Sequence, residues 1–327
     1  MKYSFNRLIR NSITKSIIKK VIPKQTYSSV VDYLNKGPEL KLYYKNDIVS
    51  IDNYNKEIHG LMPVYYCDDT PNFGDFIGPY LISKITNKPV LNVRLFQHSG
   101  IMAVGSIAHM VDRKNMVMWG SGLMYPLTDE KIRDFKRYNP EILSVRGMET
   151  AKLLLEAGID VPNHSFYGDP ALIMPLFYKP SVSSPKKIGI CPHYVHKPYF
   201  LKNIFIKNSL KIIDVQQDVE TVVDSISSSS VCISTSLHGL IIAQAYGIPW
   251  VWLEISDNPL FGKDFKFKDF FSTLNKSQVS HVRVSLEEVK SLDYDMIAEK
   301  ATLPDKLYNE DLILESLKIY LGRNVES

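Results

Sequence analysis

The sequence predicts an α/β fold built from two doubly wound units that face a cleft. Three observations carry this. Short apolar, β-branched runs alternate with stretches of helical periodicity, the pattern of parallel strands joined by crossover helices. The alternation occurs twice, and FYKPSVSSPKK (177–187), with two prolines and a serine cluster, separates the two series as a linker. The 327 residues also exceed the size at which a single core usually stops growing.

The first series starts at Leu61. LMPVYYC (61–67) reads as a strand, FIGPYLISKIT (76–86) as a helix with Pro79 in its first turn, and PVLNV (89–93) as the next strand. IMAVGS (101–106) and NMVMWGSG (115–122) are strands that end in glycine and serine. A helix over 127–138, the strand EILSVR (141–146) and a helix closed by Gly158 follow. The second series runs KIGICPH (187–193), KIIDVQ (211–216), a helix over 218–228, VCIS (231–234), a helix over 237–247 and WVWLE (250–254). FKDFFSTLN (267–275) and a C-terminal helix near 309–321 complete it. The expected division is therefore a basic arm and irregular segment (1–60), an N-terminal α/β domain (61–178), a C-terminal α/β domain (187–280) and a helical tail (281–327). Each half is expected to be Rossmann-like.

Composition narrows the class. Hydrophobic residues make up 45% and charged residues 23%, as in ordinary globular proteins. The three cysteines, Cys67, Cys191 and Cys232, lack metal-ligand spacing and read as thiols in a reducing compartment. The net charge of +4 is unevenly spread, because no acid precedes Asp32. In that first segment Phe5, Leu8, Ile9, Ile13, Ile17 and Val21 recur at threes and fours among lysines and arginines. This is the pattern of a basic amphipathic helix, which either packs on its own protein or lies on an anionic membrane. No apolar h-region follows the charges and no run is long enough to span a bilayer, so a cytoplasmic protein is expected, with peripheral contact at the inner membrane face as the second role of the arm. No basic stripe with interleaved aromatics points to nucleic acid.

Four corners at strand ends hold the residues able to do chemistry, where open α/β sheets bind ligands. In CDDTPNFGDFIGP (67–79), Asn72, Gly74 and Asp75 precede a helix. The commoner job of Asp75 is an N-cap; its functional reading is a carboxylate that orients or deprotonates a hydroxyl. In SVRGMET (144–150), Arg146 ends a strand, and a guanidinium suits bidentate recognition of phosphate or carboxylate. In YGDPAL (167–172), Asp169 before proline reads as a turn former. In STSLHG (234–239), Ser234, Ser236, His238 and Gly239 crowd a helix start, where unpaired N–H groups and the helix dipole favour an anion. His193 and His196 stand three apart without a third ligand of matching spacing, so no metal is expected. A dinucleotide fingerprint, a Walker A loop and a nucleophile elbow are all missing.

Taken together, NFGD (72–75), VGSI (104–107), WGSG (119–122), SVRG (144–147), GDPA (168–171) and STSLHG (234–239) resemble the polysaccharide pyruvyl transferase family, in the family's order. The resemblance covers roughly residues 61–255. It implies a GT-B-like fold and transfer of the pyruvyl group of phosphoenolpyruvate onto two hydroxyls of a sugar, forming a cyclic ketal in a surface polysaccharide precursor (capsule or exopolysaccharide). No cofactor beyond the donor substrate is expected. In this reading His238 is the general acid/base, Arg146 holds the donor's phosphate or carboxylate, and Asp75 with Asn72 takes the acceptor hydroxyl. Ser234, Ser236 and Gly239 support the anion, with His193 also in the cleft. The acceptor implied is a sugar, free or on a lipid-linked oligosaccharide. Many family members carry a basic residue just before Leu-His-Gly, where this chain has Ser236, and Lys197 is the expected substitute. The runner-up activity is a GT-B glycosyltransferase using a nucleotide sugar, since a helix-start anion site serves a diphosphate equally well. A third reading is a sugar-binding protein that has lost its chemistry.

Overall fold

A computed structural model of the protein describes residues 40–44, 47–51, 61–94, 98–180, 187–204 and 209–323. The basic arm lies outside them, as do residues 181–186 of the expected linker. The first unit contains β1 (Leu40–Tyr44), β2 (Asp47–Ile51), β3 (Met62–Tyr65), α1 (Phe73–Thr86), β4 (Val90–Asn92), β5 (Ile101–Ala103), β6 (Val117–Trp119), α2 (Asp129–Tyr138), β7 (Glu141–Ser144) and α3 (Met148–Glu156). Its sheet has the order β2-β1-β4-β3-β5-β6-β7, parallel from β4 to β7. The hairpin β1–β2 adds an antiparallel edge.

The second unit contains β8 (Lys187–Cys191), α4 (Lys197–Asn203), β9 (Leu210–Ile212), α5 (Val219–Ser227), β10 (Ser229–Ser234), α6 (Leu237–Ala245), β11 (Trp250–Ile255), α7 (Phe265–Phe271), β12 (His281–Val284) and α8 (Tyr294–Ala298). Its five strands are all parallel, in the order β12-β11-β10-β8-β9. The strand WVWLEI is a nearly continuous apolar run because helices cover both faces of a parallel sheet.

Local chemistry sets several boundaries. Thr128 and Asp218 cap α2 and α5 by accepting from Lys131 N and Thr221 N. The helix expected over 76–86 starts three residues earlier, at Phe73, because the Phe73 N–H donates to Val215 O of the second unit at 2.8 Å. That bond anchors the helix start from outside, a cause no local pattern carries. The hairpin within the segment expected to be irregular is a further difference. Its alternation, LKLYY against DIVSI, spans only five residues a side and gains stability by pairing with β4.

The tail expected at 281–327 does not stand apart. Its first four residues form β12, an edge strand of the second sheet. The helix α9 (Glu310–Arg323) returns to the first unit, burying Ile313 and Leu317 on one face and accepting a hydrogen bond from Trp119 Nε1 at Ile313 O, 2.9 Å. One apolar core runs through both units, from Phe73, Ile77 and Leu81 to Val222, Leu240 and Ile241. A dry contact of this kind fixes two units against each other, whereas a wet, polar interface permits relative motion.

Candidate active site

The carboxyl ends of the two sheets face one cavity of about 230 Å³, lined from the first unit by Cys67, Asn72, Asp75 and Ser106 and from the second by His193, Ser236, His238 and Lys266. The second unit supplies the start of α6. Ser236 occupies the N-cap, and its N–H donates to Ser234 Oγ at 3.0 Å. His238 follows in the first turn, with 9% of its surface exposed. Its Nε2 has no hydrogen-bond partner among the described residues. It faces Asp169 Oδ2 across 3.9 Å, and that oxygen is equally unpartnered.

Burial, with the positive charges of Arg146 and Lys266 nearby, lowers the His238 pKa to about 3, so the ring is neutral at rest. Burial also raises the Asp169 carboxyl to about 6, against the pull of the Ala171 N–H, Arg146 and the Gly105 N–H. The two orphan atoms thus stand about 1 Å beyond hydrogen-bonding distance of each other. Asp169 does cap the turn of Pro170–Leu176, through Oδ1 and Ala171 N at 2.9 Å. It is a turn former with one oxygen left over for His238.

The first unit meets this ring at Gly74. A Cβ there would collide with His238 Nδ1, so glycine is what allows α1 and α6 to touch. Asp75 is not the N-cap. Asn72 holds that position without a side-chain capping bond, and its Nδ2 donates instead to Asp75 Oδ2 at 2.9 Å. Asp75 therefore stands in the first turn facing the cavity, where burial lifts its pKa to about 6 against the Asn72 bond and the charge of Lys266. The adjoining corner carries backbone strain, since Val104 adopts φ 47 and Gly105 φ 92. For a β-branched residue this is costly and marks a conformation held by its surroundings. It turns Gly105 and Ser106 into the cavity.

Arg146 stands one layer behind. It is fully buried, and its guanidinium donates from Nε to Asp269 Oδ2 (2.9 Å), from Nη1 to Ser106 Oγ (2.5 Å) and from Nη2 to Leu123 O (2.7 Å). Asp269 also accepts from Thr150 N (2.8 Å) and Thr150 Oγ1 (2.7 Å), so this carboxylate on α7 is locked to the first unit. The Arg146 side chain is thus an inter-unit staple rather than a cavity wall. Ser234 is likewise turned inward, donating to Cys191 O and Ser236 O. Gly239 is a packing position, where a Cβ would meet Ser234 Oγ and Cys191 Sγ.

Lys266, one turn before Asp269 on α7, is the cation that the sequence pattern did not single out. Only 7% of it is exposed, it lines the cavity, and no carboxylate among the described residues forms an ion pair with it. Burial and the charge of Arg146 depress its pKa to about 8. Lys263, Lys266 and Lys268 look alike in FGKDFKFKDFF; only the staple through Asp269 decides which faces inward. Lys197, the expected substitute, is committed elsewhere, to Asp214 Oδ1 (2.6 Å) and Gln216 Oε1 (2.9 Å).

The remaining candidates divide. His193 lines the cavity, its ring neutral because burial and Lys266 push its pKa to about 2. His196 is structural, with ring nitrogens on Thr235 Oγ1 and Asn258 O. No group of three His, Cys, Asp or Glu among the described residues could hold a metal ion. Cys67 also lines the cavity, but burial raises its pKa to about 12, so it remains a thiol and a poor nucleophile.

An uncharacterized protein of Acanthamoeba polyphaga mimivirus is 30% identical over 233 residues, covering 68% of this chain and 77% of that protein. The sequence profile described as polysaccharide pyruvyl transferase matches residues 39–257, from β1 to just past β11, and so takes in cavity residues of both units, though not Lys266. The chain belongs to the polysaccharide pyruvyl transferase family and is a transferase.

Proposed function

We propose that this protein transfers the pyruvyl group of phosphoenolpyruvate onto two hydroxyls of one sugar in a surface polysaccharide precursor, on a GT-B-like frame. The observation that carries the reading is the meeting of a neutral His238, a buried Lys266 and the start of α6 in one inter-unit cavity, with the unpartnered Oδ2 of Asp169 behind the His238 ring. Phosphoenolpyruvate is a small polyanion, and Lys266 with the α6 N-terminus is a receptor for it. Ser106, fixed by Arg146, adds a hydroxyl to that receptor. Arg146 itself acts by holding Ser106 and, through Asp269, the helix that carries Lys266.

The reaction joins two ketal bonds and breaks one ester bond. A proton goes to the methylene carbon, one sugar hydroxyl attacks the neighbouring carbon, and the phosphate leaves as the second hydroxyl attacks. The proton lost by the first hydroxyl balances the one gained by carbon, and the second leaves with the phosphate. His238, aligned by Asp169, exchanges protons with substrate, while Asp75 takes an acceptor hydroxyl. A carboxyl raised to about 6 is poised to give or take a proton near neutrality.

The acceptor reaches the protein at the inner membrane face, in the cytoplasm, where the basic amphipathic pattern of the first segment suits a lipid-linked intermediate. No helix among the described residues is long and apolar enough to cross a membrane. The test is phosphate release from phosphoenolpyruvate with and without lipid-linked or synthetic galactosyl, glucosyl and mannosyl acceptors. Acceptor-dependent release supports the transferase. A rise in melting temperature with nucleotide sugars and none with phosphoenolpyruvate would replace this reading with glycosyl transfer.

A further inference from the structure

A second concavity of about 270 Å³ adjoins the cavity across Asn72, which lines both. Its floor is Phe76, half-buried, with Tyr43 stacked against it at 5.9 Å and 24° and Tyr66 meeting it edge-on at 5.8 Å and 60°. Asn72, Asp75 and Phe76 are spaced i, i+3, i+4 at the start of α1, so one helix face carries the wall of the cavity and the floor of the groove.

The opposite wall is the turn after β9. Lys197 holds the Gln216 side-chain oxygen at 2.9 Å, so the Gln216 amide N–H groups turn away from that contact as donors. Gln217 Nε2 donates to Asp214 Oδ2 at 3.3 Å, which leaves its carbonyl oxygen as an acceptor. Asp218 adds a carboxylate at the rim. Asp68 adds another, its side chain only 10% exposed and its Oδ1 in an ion pair with Arg94 Nη1 at 3.8 Å. Among the described residues lining the groove there are two carboxylates and no cation.

That set discriminates between ligands. An aromatic floor takes the apolar C–H face of a ring, while amides and carboxylates take its hydroxyls. A phosphate or nucleotide would meet Asp68 and Asp218 with no cation in the lining, since Arg94, the cation beside Asp68, is paired with Asp68 and Asp69. We propose that the groove is the subsite for a neutral pyranose unit of the acceptor, which directs its hydroxyls past Asn72 toward Asp75, Lys266 and His238. The acceptor role of that unit rests on the pyruvyl-transfer reading; its binding to the groove does not.

The experiment is saturation-transfer NMR of the full chain with the methyl glycosides of galactose, glucose and mannose and with lactose, alongside calorimetry with phosphoenolpyruvate. At least one glycoside should bind, and at least about fivefold more weakly to Phe76→Ala and to Gln217→Ala. Phosphoenolpyruvate affinity should stay within about twofold in both groove variants. Gln217 is exposed, so its variant tests the groove even if Phe76→Ala unfolds. Absence of glycoside binding, or equal binding by both groove variants, would overturn the subsite. Groove-dependent glycoside binding without any phosphoenolpyruvate binding would keep the subsite and remove the transfer reading.

Discussion

Asp169 and Asp269 are both inaccessible to solvent and both lie where the two units meet, but their oxygens are used differently. Asp269 is saturated: Arg146 Nε, Thr150 N and Thr150 Oγ1 donate to it. Asp169 is satisfied on one oxygen by Ala171 N, while the other faces His238 at 3.9 Å with no partner. A saturated buried carboxylate holds structure, because removing it orphans its donors. One with a spare oxygen beside a neutral imidazole can respond when a substrate arrives. The comparison teaches that burial alone does not separate the staple from the site; the unfilled valence does.

The largest effect expected on this contrast is at His238. His238→Ala should lower acceptor-dependent phosphate release by about 10²–10⁴-fold with the melting curve nearly unchanged; near-normal turnover would remove His238 from acid/base chemistry. At the staple the loss is in stability instead. Asp269→Ala leaves Arg146 as an uncompensated buried charge and should cost about 3–5 kcal/mol in denaturant unfolding. Asp169→Asn, which keeps an oxygen for Ala171 N, should lose less than about 1.5 kcal/mol of stability while kcat falls at least about tenfold. If Asp169→Asn unfolds the protein as readily as Asp269→Ala, the two carboxylates are alike and the distinction fails.

Lys266 sharpens the same boundary, since it shares a helix with Asp269 but faces the cavity. Lys266→Met should weaken phosphoenolpyruvate binding by about 10–100-fold in calorimetry, the range for a hydrogen bond to a charged group, without a matching loss of stability. The sign of its pH dependence follows from a pKa lowered to about 8: the charge is present below that pH and lost above it, so donor affinity should fall as the pH rises through 8. Lys266→Arg should carry binding to higher pH, and a flat profile in the wild type would sink the assignment.

The smallest effect concerns pH and stability. Asp169 titrates near 6 when folded, against an ordinary value of 3.8, so the folded state holds its proton more tightly. Its contribution is fully present below about 4 and is lost as the pH climbs through 6. The stability difference between wild type and Asp169→Asn should shift in that sense over this window and level off above it. A difference that does not change with pH would show that the carboxyl is not raised.

Much of this molecule was legible in its sequence. The alternation of apolar runs and helical periodicity located the strands of both parallel sheets from β3 to β11, because backbone pairing and burial impose those periods locally. The strand-end corners placed His238 and Asp75 at the cavity, and six short motifs in order identified the family. The hairpin β1–β2, the start of α1 and the return of α9 were not legible, since each depends on a partner distant in the chain.

Residue types and their order determined the α/β class, the family and the neighbourhood of the site. The tertiary structure alone decided which side chains reach it. Arg146, the motif's clearest anion receptor, is held behind the wall by Asp269, and Lys266, one of three similar lysines, is turned in by the same carboxylate. Asp169 acquired its second role from a histidine 69 positions away in the chain. Such outcomes depend on the distances between charges after packing, and an electrostatic interaction is set by separation in space rather than along the sequence.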